Sequence, residues 1–321
     1  MRGSRRSLWN VAARAAIALT TFVWLGAGVA CSRAGAEPET RVVEAGAESG
    51  AKSNARFPSF EPACGGLSCE LYASPAEAFA RVLAENPRVL AVGETHPRQG
   101  VDAKSTAARF VDELLPLLDG RATDLVVELW VAKSGCAARQ GAEVRAVASA
   151  QREVTQAQAP KNQSDFLRLY TAGRAHGERV HLLIPPCDEY GKILDAGAGD
   201  VDAMLTMIAN LSVTEIEKSL DAPDAGLVVA YGGAMHNDLV PRPGHAKWSF
   251  GPRVAELTEG RYVELDLVVP EAVQDTEAWR AQPWYPHFHR GLQGGKTLLY
   301  RVRKGSFALV FPEGAVDAGP P

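Results

Sequence analysis

The chain has no strong excess of either charge. Its 321 residues carry 34 Lys and Arg against 38 Asp and Glu, a net charge of −4, which gives no basic footprint for a nucleic-acid partner. Paired C-x-x-C steps are absent, so neither a four-cysteine zinc site of the usual spacing nor a haem-attachment motif is indicated. There is one long hydrophobic run, Ala15–Ala30, shorter than a full membrane span and preceded by Arg2, Arg5 and Arg6. That asymmetry reads as a secretory signal. The run ends in Gly28-Val29-Ala30-Cys31-Ser32, which resembles a lipoprotein signal with Cys31 as the acylated residue, although Gly28 stands where a larger aliphatic is usual. Ordinary cleavage after Ala34-Gly35-Ala36 is the competing reading, and Ser4-Arg5-Arg6-Ser7-Leu8 is in part like a twin-arginine signal. The stretch 32–60 lacks sustained periodicity and is rich in Ala, Gly, Glu, Ser and Arg. It reads as a flexible tether, because it cannot bury enough apolar surface to offset its ordering entropy.

The expected organisation is therefore a signal peptide over 1–31, a tether over 32–60 and one α/β domain over 61–321. Besides Cys31 there are Cys64, Cys69, Cys136 and Cys187. An even count in an exported chain implies disulfides, and four cysteines allow three pairings. Cys64–Cys69 is the nearest pair and is preferred together with Cys136–Cys187.

Within the domain, Ser74-Pro75-Ala76-Glu77 is a capping box that opens a helix. Val89–Val92, Asp124–Trp130, His181–Ile184 and Leu227–Tyr231 are short apolar runs of the kind that strands buried on both faces require. Helical spacing recurs at Phe110–Leu118, where Pro116 should kink or shorten the end, across 141–159, and at Phe166–Tyr170, with Gly177 as terminator. Met204–Leu211 reads as a further helix, and Ser212-Val213-Thr214-Glu215 as the capping box of another. Asp188, Glu189 and Tyr190 read as loop. Arg261–Leu267 alternates with period two, as an edge strand would. Trp284–Arg290 reads as loop, and Leu298–Arg303 with Ser306–Phe311 as a closing hairpin. Strands alternating with helices imply α/β architecture: a largely parallel central sheet flanked by helices, with an antiparallel edge or hairpin at the C-terminus.

Two of those strands end alike. Val89–Val92 runs into Gly93-Glu94-Thr95-His96, and Leu227–Tyr231 into Gly232-Gly233-Ala234-Met235-His236. In a parallel sheet this repeated G-x-x-H puts Glu94, His96, Glu128 and His236 on one rim, where ligands bind; Asp188, Glu189 and Asp238 emerge there too. Two imidazoles with one or two carboxylates form a candidate open site for a divalent metal, which would acidify a bound water. Plainer roles compete: a capping histidine at His96, an arginine partner for Glu128, a packing role for His287 and His289. The Gly232-Gly233 pair lacks the spacing of a phosphate-binding loop.

The order of these elements, Gly93–His96, a strand-end Glu128, then Gly233–His236, resembles the Tiki/TraB-like superfamily over about Arg88 to Glu271. That group is similar to ChaN-like haem-binding lipoproteins and to erythromycin-esterase-like proteins. The resemblance implies Glu94, His96, Glu128 and His236 as catalytic or metal-ligating groups. It implies His96, His236 and Tyr231 as contacts in the haem-binding alternative. The expectation is an exported, lipid-anchored protein of the cell envelope, facing the periplasm or exterior, that hydrolyses an ester or amide in a small molecule or peptide with a divalent metal. The alternatives are a haem-binding surface lipoprotein or a degenerate envelope protein without catalysis.

Overall fold

The computed structural model describes residues 64–131, 133, 135, 136, 142, 145, 158, 161–195, 200–289 and 294–314. The signal, the tether and most of the helical reading over 141–159 lie outside these residues. The described residues build one sheet of eight strands in the order β1-β7-β8-β6-β2-β5-β3-β4.

β1 (Ser68–Tyr72) precedes α1 (Pro75–Leu83). The capping box forms: Ser74 Oγ accepts from the Glu77 N–H at 3.2 Å, and Glu77 Oε2 accepts from the Ala73 N–H at 3.1 Å. β2 (Val89–Glu94) follows, buried along its whole length because parallel neighbours flank it and helices cover both faces. The next helical stretch changes pitch as it approaches Pro116, from α2 (Thr106–Arg109) through a π turn (Phe110–Leu114) to a 3-10 turn (Leu115–Leu118). β3 (Ala122–Trp130), α3 (Asn162–His176) and β4 (Arg179–Leu183) come next, α3 ending at Gly177 with φ of 96°. After α4 (Cys187–Asp195) and α5 (Val201–Leu220), β5 (Leu227–Gly233) passes directly into the short α6 (Ala234–Asn237). α7 (Gly251–Leu257), β6 (Tyr262–Val268), α8 (Glu277–Arg280) and the hairpin of β7 (Thr297–Arg303) and β8 (Ser306–Val310) complete the chain. β2, β3, β4, β5, β6 and β8 run parallel; β7 is antiparallel to β8 and to β1.

The sheet separates two apolar layers. Leu90, Val92, Val127, Val229 and Tyr231 face α1, the Phe110 turn and α3, whereas Val89, Ala91, Val126, Val228 and Ala230 face α4, α5 and α7. A third cluster around Trp284 and Tyr300 packs beside the Cys64–Cys69 bridge. The second bridge is Cys136–Cys187, so both preferred pairings are present.

Four sequence expectations need correction. Tyr262–Val268 is not an edge strand: β6 lies between β2 and β8, and its alternating Glu264 and Asp266 point into a polar gap beneath the sheet rather than into solvent. Ser212 does not cap a new helix, because α5 runs unbroken from Val201 to Leu220 with Ser212 buried inside it. Asp188, Glu189 and Tyr190 belong to the first turn of α4, and Tyr190 is buried. Within Trp284–Arg290, Tyr285–His287 forms a 3-10 turn, and Trp284 is a core residue.

Candidate functional site

The register places the two G-x-x-H motifs side by side, Gly93 opposite Gly232 and Glu94 opposite Gly233 on adjacent parallel strands. β3 flanks β5 on its other side and supplies Glu128. His96 follows β2, and His236 lies within α6. Glu94 and Tyr231 come up on the α1 and α3 side of the sheet, and Glu128 on the other. The two halves meet over Gly233.

Contact distances fix that meeting point. A methyl group built on Gly233 would lie 3.4 Å from His96 Nε2, 3.5 Å from Glu128 Oε2 and 3.8 Å from His236 Cδ2. Beside it is a void of about 10 Å³, bordered by Glu128, Gly233, His236, Tyr231 and Phe250, on the order of the space one water needs.

Each group is held. His236 is 4% exposed, and its Nδ1–H donates to the Trp248 carbonyl at 2.7 Å. A carbonyl can only accept, so the neutral ring keeps its lone pair on Nε2, which stands 3.7 Å from Glu128 Oε1. The Gly233 N–H donates to Glu128 Oε2 at 2.6 Å, leaving Oε1 free. Glu94 has a fully buried side chain. Its Oε2 accepts from the Tyr231 hydroxyl at 2.6 Å and its Oε1 from His96 Nδ1 at 2.8 Å. His96, with a quarter of its side chain exposed, directs Nε2 toward Gly233. Burial lowers the His96 pKa, but the hydrogen bond and charge of Glu94, with the charge of Glu128, outweigh it and hold the ring above the ordinary histidine value. Burial, then the charge and hydrogen bond of Glu94, push Tyr231 well above the usual tyrosine range, so it stays a donor.

Asn237 anchors the assembly. Its Nδ2 donates to the Ala91 carbonyl and to Asp266 Oδ1, both at 3.3 Å, and Tyr262 donates its hydroxyl to the Asn237 carbonyl at 2.5 Å. α6 is thereby tied to β2 and β6. Gly93 is required here, since a methyl on it would lie 2.6 Å from Asn237 Nδ2 and 2.7 Å from the Ala234 Cα.

All four candidate residues converge, but Glu94 differs in role from the other three. Both of its oxygens are engaged, so it orients His96 instead of facing the void. This bears on the expected metal. Among the described residues no three His, Cys, Asp or Glu side chains are placed to share an ion, and a catalytic centre of the zinc type needs three protein ligands. As arranged, the donor set does not fit. Tyr231 is 2% exposed and committed to Glu94, so its hydroxyl does not fit the role of a haem contact either.

Other rim residues stay apart. Asp188 and Glu189 pair with Lys192. His287 stands over Gly65 near the β1 edge of the sheet. Asp238 faces a separate cavity of about 120 Å³ with Glu264, Asp266, Arg242 and Arg303. Sequence pattern does not point to Asn237 or to the Trp248 carbonyl, whose contributions depend on tertiary contacts. Tyr231 enters the sequence reading only as a contact in the haem-binding alternative; its hydrogen bond to Glu94 depends on the fold.

No family model and no curated protein matches the chain. Two solved structures are similar to it. One is RRSP, a MARTX toxin effector domain from Vibrio vulnificus CMCP6, at 17% identity and a TM-score of 0.30, covering 50% of this chain and 31% of that one. The chain thus spans about a third of that structure's length. The other is the type III effector HopBA1, at 10% identity and a TM-score of 0.36, covering 76% of this chain and 98% of that one. At these scores neither likeness specifies an activity.

Proposed function

We propose that the protein is a hydrolase of an ester or amide bond, working by general acid–base catalysis at His96, Glu128 and His236. The observation that carries this reading is the convergence of those three groups on one point over Gly233, beside a void on the scale of a single water. Glu128 Oε1 and His236 Nε2, 3.7 Å apart, accept the two hydrogens of that water and leave its lone pair toward a carbonyl carbon. As the new C–O bond forms, Glu128 takes one proton. His96 enters protonated and gives its Nε2 proton to the departing oxygen or nitrogen as the old bond breaks; Glu128 then releases its proton to solvent and His96 regains one, which restores both groups. Glu94 holds the resulting neutral ring by Nδ1. The raised His96 pKa favours its acid form, and activity should fall on the alkaline side as His96 deprotonates.

Export and a lipid anchor at Cys31 belong to the same proposal. They are supported by the arginine-led apolar run ending at that cysteine and the tether after it. Among the described residues no helix is long and apolar enough to cross a membrane. The catalytic reading is tested by turnover of p-nitrophenyl acetate and of an N-acyl p-nitroanilide, with and without EDTA. Wild-type protein should hydrolyse at least one of them, indifferent to EDTA, and Glu128→Gln should be slower by about 100-fold or more. No wild-type turnover, an unaffected variant, or abolition by EDTA would overturn it.

A further inference from the structure

His96 can act only if its ring stays in one orientation, with Nε2 toward Gly233. The contact that secures this lies one residue further back. We propose that Tyr231 is a positioning residue of this site, its hydroxyl locking Glu94 and, through Glu94, the orientation and tautomer of His96. The proposal rests on the acid–base reading above and deepens it.

Three observations converge. The Tyr231 hydroxyl donates to Glu94 Oε2 at 2.6 Å while His96 Nδ1 lies 2.8 Å from Oε1. A carboxylate engaged through both oxygens cannot turn away from the ring it orients. Glu94 has no solvent to fall back on, its side chain being 0% exposed. Without the hydroxyl, Oε2 becomes a buried acceptor with no donor, and the carboxylate must rotate or draw in a proton to satisfy it. Finally, the Tyr231 ring is itself fixed, packed 4.9 Å from Phe110 and 5.7 Å from Phe166, and Phe166 also meets the His96 ring edge-on at 5.7 Å. The charged and titratable groups around this chain are Glu94 itself, Glu128 and His236 across the rim, and Asp165 of α3, whose charge bears on Tyr231. None of these donates to Glu94 Oε2, and among the described residues Tyr231 is the donor that reaches it.

The logic matches that of an acid holding a catalytic imidazole by Nδ1, with a phenol added behind the acid. After His96 gives up its Nε2 proton, the neutral ring must keep its remaining hydrogen on Nδ1, and a loosened Glu94 permits the other tautomer.

Tyr231→Phe keeps the ring and its packing and removes only the hydroxyl. The imidazole ¹⁵N shifts, recorded at a pH where His96 is neutral, report the tautomer without reference to turnover. Wild type should show one His96 form with hydrogen on Nδ1, and Tyr231→Phe a mixture. On p-nitrophenyl acetate, kcat should drop on the order of tenfold while KM stays within about twofold, because the group acts on the chemistry and not on binding. Glu94→Gln, whose amide can donate to Nδ1, should shift His96 toward hydrogen on Nε2. A Tyr231→Phe protein with wild-type fold, a single Nδ1–H form and unchanged kcat would overturn the positioning role. A mixed tautomer in Tyr231→Phe, with no hydrolysis by wild type, would uphold positioning and sink the hydrolase reading alone.

Discussion

At Gly233 the fold tolerates a side chain that the proposed chemistry cannot. Its φ of −67° and ψ of 137° suit any residue, and an added methyl would meet His96, Glu128 and His236 at ordinary van der Waals distances. That methyl would stand where the three groups converge. Gly233→Ala should therefore fold with a melting temperature close to wild type and lose hydrolysis by on the order of 100-fold. Gly93→Ala offers the contrast, because its methyl would press on the Ala234 backbone and on Asn237. It should destabilise the protein as overpacking does, by roughly 1–3 kcal/mol, and displace α6 with His236. Thermal melts set beside turnover separate the two cases. If Gly233→Ala is as active as wild type, the site is not centred where the distances put it.

Among the elements, β6 carries the least expected feature. The alternation that suggested a solvent-facing edge comes from Glu264 and Asp266, which share the cavity beneath the sheet with Asp238. Burial, then the Glu264 charge, pushes Asp238 up to about 7, with Arg242 and Arg303 opposing. Burial raises Glu264 despite its bonds from the Leu239 N–H and Ser306, and burial with the charges of Glu264 and Asp238 raises Asp266 well above the usual range. For Asp238 the folded state holds its proton to higher pH than the unfolded chain. The stability tied to this proton is thus full below the unfolded carboxylate range and is lost as pH rises through about 7. Asparagine mimics the protonated form. The advantage of Asp238→Asn over wild type in urea unfolding should widen by roughly 2 kcal/mol between pH 5 and pH 7.5. A pH-independent difference would show that Asp238 ionises freely.

Taken as a whole, the molecule shows what pattern reading reaches and where it stops. The strands β2, β3, β4 and β5 were legible because burial on both faces demands unbroken apolar runs. The shared rim followed from four parallel neighbours. β1 was not, since its identity as a strand depends on pairing with β7 more than 200 residues away (297 minus 72 is 225). α5 was split in two because a buried Ser212 imitates a cap. For the site, sequence pattern named Glu94, His96, Glu128 and His236, but could not separate a carboxylate engaged through both oxygens from one that faces the void. That distinction lies in the Tyr231 hydrogen bond. The disulfides also act at this scale. Cys136–Cys187 closes a span of 51 residues and Cys64–Cys69 one of 5. In the loop-closure picture, replacing the first pair by serine should cost roughly 2–4 kcal/mol and replacing the second pair less. Equal losses in chemical denaturation would mean that loop length does not govern them.

The shared site over Gly233 is tested most directly by a double-mutant cycle on His96 and His236. Each histidine follows its own strand, 140 positions apart (236 minus 96), and in the proposed mechanism His236 holds the water while His96 protonates the leaving group. kcat/KM for the hydrolysed p-nitrophenyl or p-nitroanilide probe is measured for wild type, His96→Ala, His236→Ala and the double variant, with folding checked by circular dichroism. Groups that work as a unit give losses that do not multiply. Each single variant should lose about 100-fold or more, and the double variant little beyond that. Losses that multiply in the double variant, or a single variant with wild-type turnover, would contradict a shared centre.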